Sequence, residues 1–240
     1  MARLRLKEVA EKIRAQIRVP VFFIAVLSAA LSVATAAAHG FGSASLVSVG
    51  TVVYVGVYSF VRVGEGVGAG DAVTYIRLGL VAYVAGFVIV RPVGAEAWFA
   101  AVCFVFASFL DVADGAVARR TRKTELGENL DAEADGLLTL VGVSVGVANG
   151  WLPVAYTAVG SARYVFVFGV LVRRRLGMNV AELDDSTTRK LLSSAQLFVI
   201  TCALTPTVPD AFVRPAAYVV MVPFVVWFIR DWYVICRNPD

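Results

Sequence analysis

The sequence predicts an all-α integral membrane protein, with a six-helix transmembrane core preceded by two further N-terminal transmembrane helices. Three observations predict it. Hydrophobic residues make up 59% of the 240 residues, against roughly 45–50% apolar residues in a soluble domain. The apolar residues recur in runs of about 20, the length a bilayer-crossing helix requires. These runs continue to the C-terminus, which a removable leader does not explain. The basic residues also gather in alternate connectors, the asymmetry that sets the orientation of a polytopic chain.

Taken in order, residues 1–18 place Val9, Ile13 and Ile17 among Arg3, Arg5, Lys7, Lys12, Arg14 and Arg18. The pattern suits an amphipathic helix on the cytoplasmic leaflet or a solvated basic flank. Apolar runs at 19–38 and 44–62 form an N-terminal two-helix extension, 19–62. The segment from Val61 to Ala72 is rich in glycine. It has no strand–helix–strand setting, so it reads as a flexible connector rather than a phosphate loop. The core domain, 63–240, holds runs at 74–93, 97–119, 129–149, 151–173, 190–208 and 213–235. No internal repeat is evident.

The connectors sort by charge. One set carries Arg62, then Arg119, Arg120, Arg122 and Lys123, then Arg173, Arg174, Arg175, Arg189 and Lys190; the opposite set carries Arg91 and Arg214. The positive-inside rule makes the first set cytoplasmic, and with eight spans both termini lie on that side. The formal net charge of +4 then concerns orientation and anionic lipid headgroups, not nucleic acid. Cys103, Cys202 and Cys236 are far apart with no CxxC, and read as free thiols in apolar surroundings. His39 is the sole histidine and is distant in sequence from the acidic residues. It reads as an interfacial residue beside a Gly-containing loop, and acid–base work falls to carboxylates.

Residues 111–135 organise the chain. Asp111 and Asp114 are three apart near the end of one apolar run, and Asp131 and Asp135 are four apart at the start of the next. Each pair shares a helix face. A short connector, about 120–127, makes the two helices antiparallel, so the acidic faces can meet. Carboxylates at a membrane edge are costly and point to a functional site. Four together repel unless protonated or bound to cations. Oxygen-only ligands without His or Cys favour Mg²⁺ or Mn²⁺. Gly115 and Gly127 allow a ligand or a helix to approach the backbone, and Ala118 keeps the face small. Arg119 suits an anionic diphosphate beside the metal, an arrangement that stabilises charge in phosphoryl transfer. Each feature alone has a plainer reading as a solvated helix cap, a packing contact or a positive-inside loop. That reading is preferred for Arg120, Arg122 and Lys123.

The spacing D-x2-D-G-x2-A-R-x7-G-x3-D-x3-D resembles the signature of the CDP-alcohol phosphotransferases (CDP-alcohol phosphatidyltransferases), with all eight fixed positions filled. One departure is the gap between Arg119 and Gly127: seven residues where the family more often has eight. It bears on the connector's geometry. The resemblance covers about 70–235 and implies a dimeric six-helix core. It implies that Asp111, Asp114 and Asp131 ligate two divalent cations, and that Asp135 approaches the acceptor hydroxyl as general base and also touches a metal. By the same resemblance, Gly115, Ala118 and Gly127 line a cytidine nucleotide and Arg119 contacts its diphosphate. The implied reaction moves a phosphatidyl-type group from a CDP-linked lipid, such as CDP-diacylglycerol or CDP-archaeol, to a small alcohol or alcohol phosphate. CMP is released.

Two flanking segments agree less closely. Thr74 and Arg77 resemble the T-x-x-R that opens the family's first core helix. Arg189, Lys190, Ser193 and Gln196 resemble a basic segment followed by T-x-x-Q, with Ser in place of Thr. Arg163 falls inside an apolar run, either as a structural counter-ion or as an anion-binding residue. If Arg77, Arg163, Arg189 and Lys190 cluster, they favour a phosphorylated acceptor. Two rival functions are a membrane prenyltransferase with aspartate-rich motifs and a divalent-cation transporter. The first carries its motifs far apart in sequence; the second has no use for Ala118-Arg119 beside the ion.

Overall fold

The computed structural model describes residues 28–62, 69–118, 125–181, 183 and 186–237, with the side chains of 61–62, 69–72, 111–118 and 125–129 excluded from the description. The basic segment 1–18, the start of the first apolar run, the middle of the Gly-rich connector and Arg119, Arg120, Arg122 and Lys123 therefore lie outside the described residues. The described residues contain no strand. Their helices are α1 (Ser28–Ala38), α2 (Ser43–Arg62), α3 (Ala69–Ala85), α4 (Ala95–Ala118), α5 (Glu125–Ala148), α6 (Thr157–Arg175), α7 (Thr187–Leu204) and α8 (Asp210–Cys236). Short 3-10 turns, Gly86–Val88 and Val154–Tyr156, follow α3 and precede α6.

Three of these segments, Ser43–Phe60, Val154–Arg175 and Asp210–Cys236, are long and apolar enough to cross a membrane. Ser28–Ala38, Val73–Val88 and Ala95–Leu110 are apolar but shorter. The expected six-plus-two membrane crossings are a larger number than these spans establish. Several helices present large apolar side chains outward, among them Trp98, Val102, Phe106 and Phe109 on α4 and Phe212, Val219, Val226 and Ile229 on α8. Their recurrence at spacings of three, four and seven residues makes apolar stripes, a surface suited to lipid rather than water.

Element ends differ from the sequence reading where local chemistry intervenes. α5 starts at Glu125, before the expected 129, so Gly127 lies in its first turn and not in a connector. α3 and its 3-10 extension end at Val88, ahead of Pro92 and of Gly94, whose φ of +56° turns the chain.

The chain divides into two compact units. The first takes residues 1–90 and 102–138, and the second takes 91–101 and 139–240. In the first, α2 packs along α3, and α3 buries Tyr75, Leu78, Ala82 and Ala85 at helical spacing. α1 closes on α3 at Gly79, where a Cβ would fall 2.6 Å from Leu31 Cδ2. His39 then leaves α1 and fixes the turn. Its Nε2 lies 2.7 Å from the Tyr83 carbonyl, so that nitrogen carries the proton and donates. Its ring stacks on Tyr83, with centroids 4.8 Å apart. The lone histidine serves here as a structural latch between α1 and α3.

In the second unit α8 packs on α7 and α6. Pro223 lies inside α8 and cannot donate to the carbonyl one turn back. Beside that point, Gln196 Nε2 of α7 donates to the Val220 carbonyl at 2.9 Å, and the buried Tyr156 hydroxyl donates to Gln196 Oε1. Both side chains are at most 1% exposed, so this chain supplies partners to polar groups shut away from water. Arginines close both ends of the unit. At one, Arg91 sits over the Trp151 ring at 5.7 Å and Arg214 donates to the Gly150 carbonyl. At the other, Arg173 donates to the carbonyls of Asn179, at 3.1 Å, and Cys236, at 3.4 Å. The three cysteines are free thiols.

Candidate active site

The second aspartate pair sits where α3 and α5 meet within the first unit. Asp131 and Asp135 are one turn apart on α5, and the T-x-x-R segment of α3 faces them. Arg77 is 2% exposed. Its Nη2 donates to Asp135 Oδ1, and its Nη1 lies 3.9 Å from Asp131 Oδ1. Thr74 Oγ1, one turn earlier on α3 and also buried, donates to Asp131 Oδ1 at 3.4 Å. Thr74 and Arg77 share a face by their three-residue spacing, as do the two aspartates by four. The pairing of the two segments thus follows from helix geometry once α3 and α5 pack. A guanidinium suits this position because its planar fork offers several donors to two carboxylates at once.

Exposure distinguishes the two aspartates. The side chain of Asp131 is 24% exposed and that of Asp135 is 55% exposed. Asp135 is therefore the one more open to an incoming group. The described donors here are oxygens, held on one helix face, which is the chemistry a hard divalent cation takes. That donor type is the one Mg²⁺ and Mn²⁺ take, and here both carboxylates face the Arg77 guanidinium. Among the described residues no set of three or more His, Cys, Asp and Glu side chains gathers as a metal site. The expected ligands Asp111 and Asp114 are not among those side chains. Their backbone is helical, in the last two turns of α4, as is that of Gly115 and Ala118. Gly127 is helical in α5, and Arg119 lies outside the described residues.

The other expected acceptor-binding residues belong to the second unit: Arg163 on α6, and Arg189 and Lys190 in the first turn of α7. Arg189 has a carboxylate partner that sequence reasoning missed. Its Nε donates to Asp231 Oδ2 at 2.9 Å, and Asp231 of α8 is 6% exposed. Arg230 also approaches Asp231, at 3.7 Å, while stacking over Trp227 at 4.3 Å. Ser186 caps α7 by accepting the Arg189 backbone N–H at 3.4 Å.

A second residue missed from sequence is Glu133. It is buried at 5% exposure, and Tyr54 of α2 donates its hydroxyl to Glu133 Oε1 at 2.7 Å. One signal was present: Leu130 lies three residues before Glu133 and Leu137 four after, so the carboxylate falls on the apolar stripe of α5.

No curated protein and no solved structure matches the chain. The family model for CDP-alcohol phosphatidyltransferases matches residues 69–233, the stretch from the start of α3 to near the end of α8. The matched residues include the whole D-x2-D to D-x3-D signature, Thr74 and Arg77. Through this match and its apolar helices the chain is an integral membrane protein. It belongs to the CDP-alcohol phosphatidyltransferase family, a family of transferases that move substituted phosphate groups from CDP-alcohols to alcohol acceptors in phospholipid biosynthesis.

Proposed function

We propose that the protein transfers a phosphatidyl-type group from a CDP-linked lipid, such as CDP-diacylglycerol or CDP-archaeol, to a small alcohol or alcohol phosphate. CMP is released on the cytoplasmic side of the membrane. The observation that carries this reading is the convergence of Thr74 and Arg77 on Asp131 and Asp135. It ties the buried T-x-x-R segment to the second, more exposed half of the aspartate signature.

In this reading Asp111, Asp114, Asp131 and Asp135 hold two Mg²⁺ or Mn²⁺ ions. When bound, the ions neutralise charge on the diphosphate and on departing CMP. Gly115, Ala118 and Gly127 leave room for the cytidine nucleotide, and Arg119 pairs with the diphosphate. Asp135, the more exposed of its pair, takes the proton from the acceptor hydroxyl. The freed oxygen attacks the lipid-side phosphorus, a new P–O bond forms, and the bond to the CMP oxygen breaks. Arg77 fixes the carboxylate of Asp135 and supplies positive charge where a phosphorylated acceptor would enter. Arg163, Arg189 and Lys190 are the further candidates for holding such an acceptor. The basic connectors support a cytoplasmic site and cytoplasmic termini by the positive-inside rule, and in this reading the enzyme works as a homodimer.

Purified protein given a CDP-lipid, Mg²⁺ or Mn²⁺ and a panel of alcohols and alcohol phosphates is expected to release CMP with at least one acceptor. Release no greater than background across the panel would overturn the reading. The acceptor that works identifies the product lipid.

A further inference from the structure

The family match begins at residue 69 and assigns no part in the reaction to the helices before it. Tyr54 of α2 nevertheless reaches the helix that carries Asp131 and Asp135. Its hydroxyl donates to Glu133 Oε1 at 2.7 Å, and Glu133 is 5% exposed. A carboxylate so far from water is strongly unfavourable unless donors hold it, so this bond is a strong constraint on where α5 can sit. Glu133 is two residues after Asp131 and two before Asp135. At about 100° of turn per residue, it projects from the opposite side of the helix.

α5 is therefore held from two sides. Arg77 and Thr74 grip the aspartate face, and Tyr54 grips the back. A helix held on one face can still roll about its axis, whereas one held on opposite faces cannot. At a side-chain radius of about 5–6 Å, a roll of roughly 15° moves a carboxylate by more than about 1 Å. Displacements of that size can lower a rate by around a hundredfold.

We infer that Tyr54 is a positioning residue for the active site: through Glu133 it sets the roll of α5 and hence the placement of Asp131 and Asp135. The N-terminal extension is then part of the catalytic apparatus, beyond any role in anchoring. The inference rests on the proposed reading of those two aspartates as site residues.

The test compares full-length variants in detergent or nanodiscs. Tyr54→Phe keeps the ring and removes only the hydroxyl. It is expected to lower kcat for CMP release about tenfold while leaving KM for the CDP-lipid within about twofold. Glu133→Leu should behave as Tyr54→Phe does, and the double variant should be no slower than Glu133→Leu alone, because both changes break one contact. Glu133→Gln keeps an acceptor oxygen in place and should retain most of the rate. A second readout does not depend on activity: amide hydrogen exchange over residues 130–138 should quicken in Tyr54→Phe and stay unchanged over α7 and α8. A wild-type kcat in Tyr54→Phe, additive losses in the double variant, or unchanged exchange over 130–138 would each overturn the inference. If wild type itself releases no CMP, the proposed function fails, and the exchange measurement still decides whether Tyr54 holds α5.

Discussion

Arg77, at 2% exposure, is ion-paired with Asp135, whose side chain is 55% exposed. One partner is sunk between helices and the other opens outward. The guanidinium therefore acts as a fixed post to which the accessible carboxylate is tied. Replacing it should affect chemistry more than folding. Arg77→Lys cannot engage two carboxylates with a planar fork and should lower CMP release by about a hundredfold. Arg77→Ala should lower it further. A thermal-unfolding scan of Arg77→Lys should stay within a few degrees of wild type.

The assigned base gives a second expectation. Asp135→Asn keeps the shape and removes the proton acceptor. Turnover should fall by about 100- to 10,000-fold, the range a positioned general base contributes. Binding of the CDP-lipid, read by isothermal titration, should be largely retained. Asp111→Asn should instead raise the Mg²⁺ or Mn²⁺ concentration needed for half-maximal rate.

Removing metal should be decisive. Protein treated with EDTA and exchanged into metal-free buffer is expected to release CMP only at background. Added Mg²⁺ or Mn²⁺ should restore the rate. Full activity after chelation would exclude the metal assignment of all four aspartates.

The polar chain in the second unit concerns stability. Gln196→Leu leaves the Tyr156 hydroxyl and the Val220 carbonyl without this partner. The cost is expected to be roughly 1–3 kcal/mol, the penalty for an unsatisfied buried polar group. Tyr156→Phe combined with Gln196→Leu should cost less than the sum of the singles, since both ends of one bond are then removed together. Chemical denaturation in detergent, followed by circular dichroism, would measure both.

How much of this was legible in the sequence depends on how local the signal is. Helical repeats at three and four residues are local, so the helical character of the chain was readable, and so was the shared face of Asp131 and Asp135. Thr74 and Arg77 were recognised as a T-x-x-R segment, and Arg77 as a candidate for holding a phosphorylated acceptor. That they lie against Asp131 and Asp135 depends on how α3 packs on α5, which no spacing along the chain encodes. Asp231 was passed over because a single carboxylate near the end of an apolar run resembles an interfacial residue; its partner Arg189 lies 42 positions earlier. Glu133 looked like one more acidic residue among aspartates. Its partner Tyr54 lies 79 positions away, on a helix that the signature does not include.

α5 carries Glu125, Glu128, Asp131, Glu133 and Asp135 within its first half. Such a segment partitions poorly into a bilayer by itself. Two of the groups that compensate it, the Tyr54 hydroxyl and the Arg77 guanidinium, are on helices that leave the ribosome earlier. The donors are thus synthesised before the acidic helix that needs them, so α5 can pack on a protein surface that already exists when it emerges.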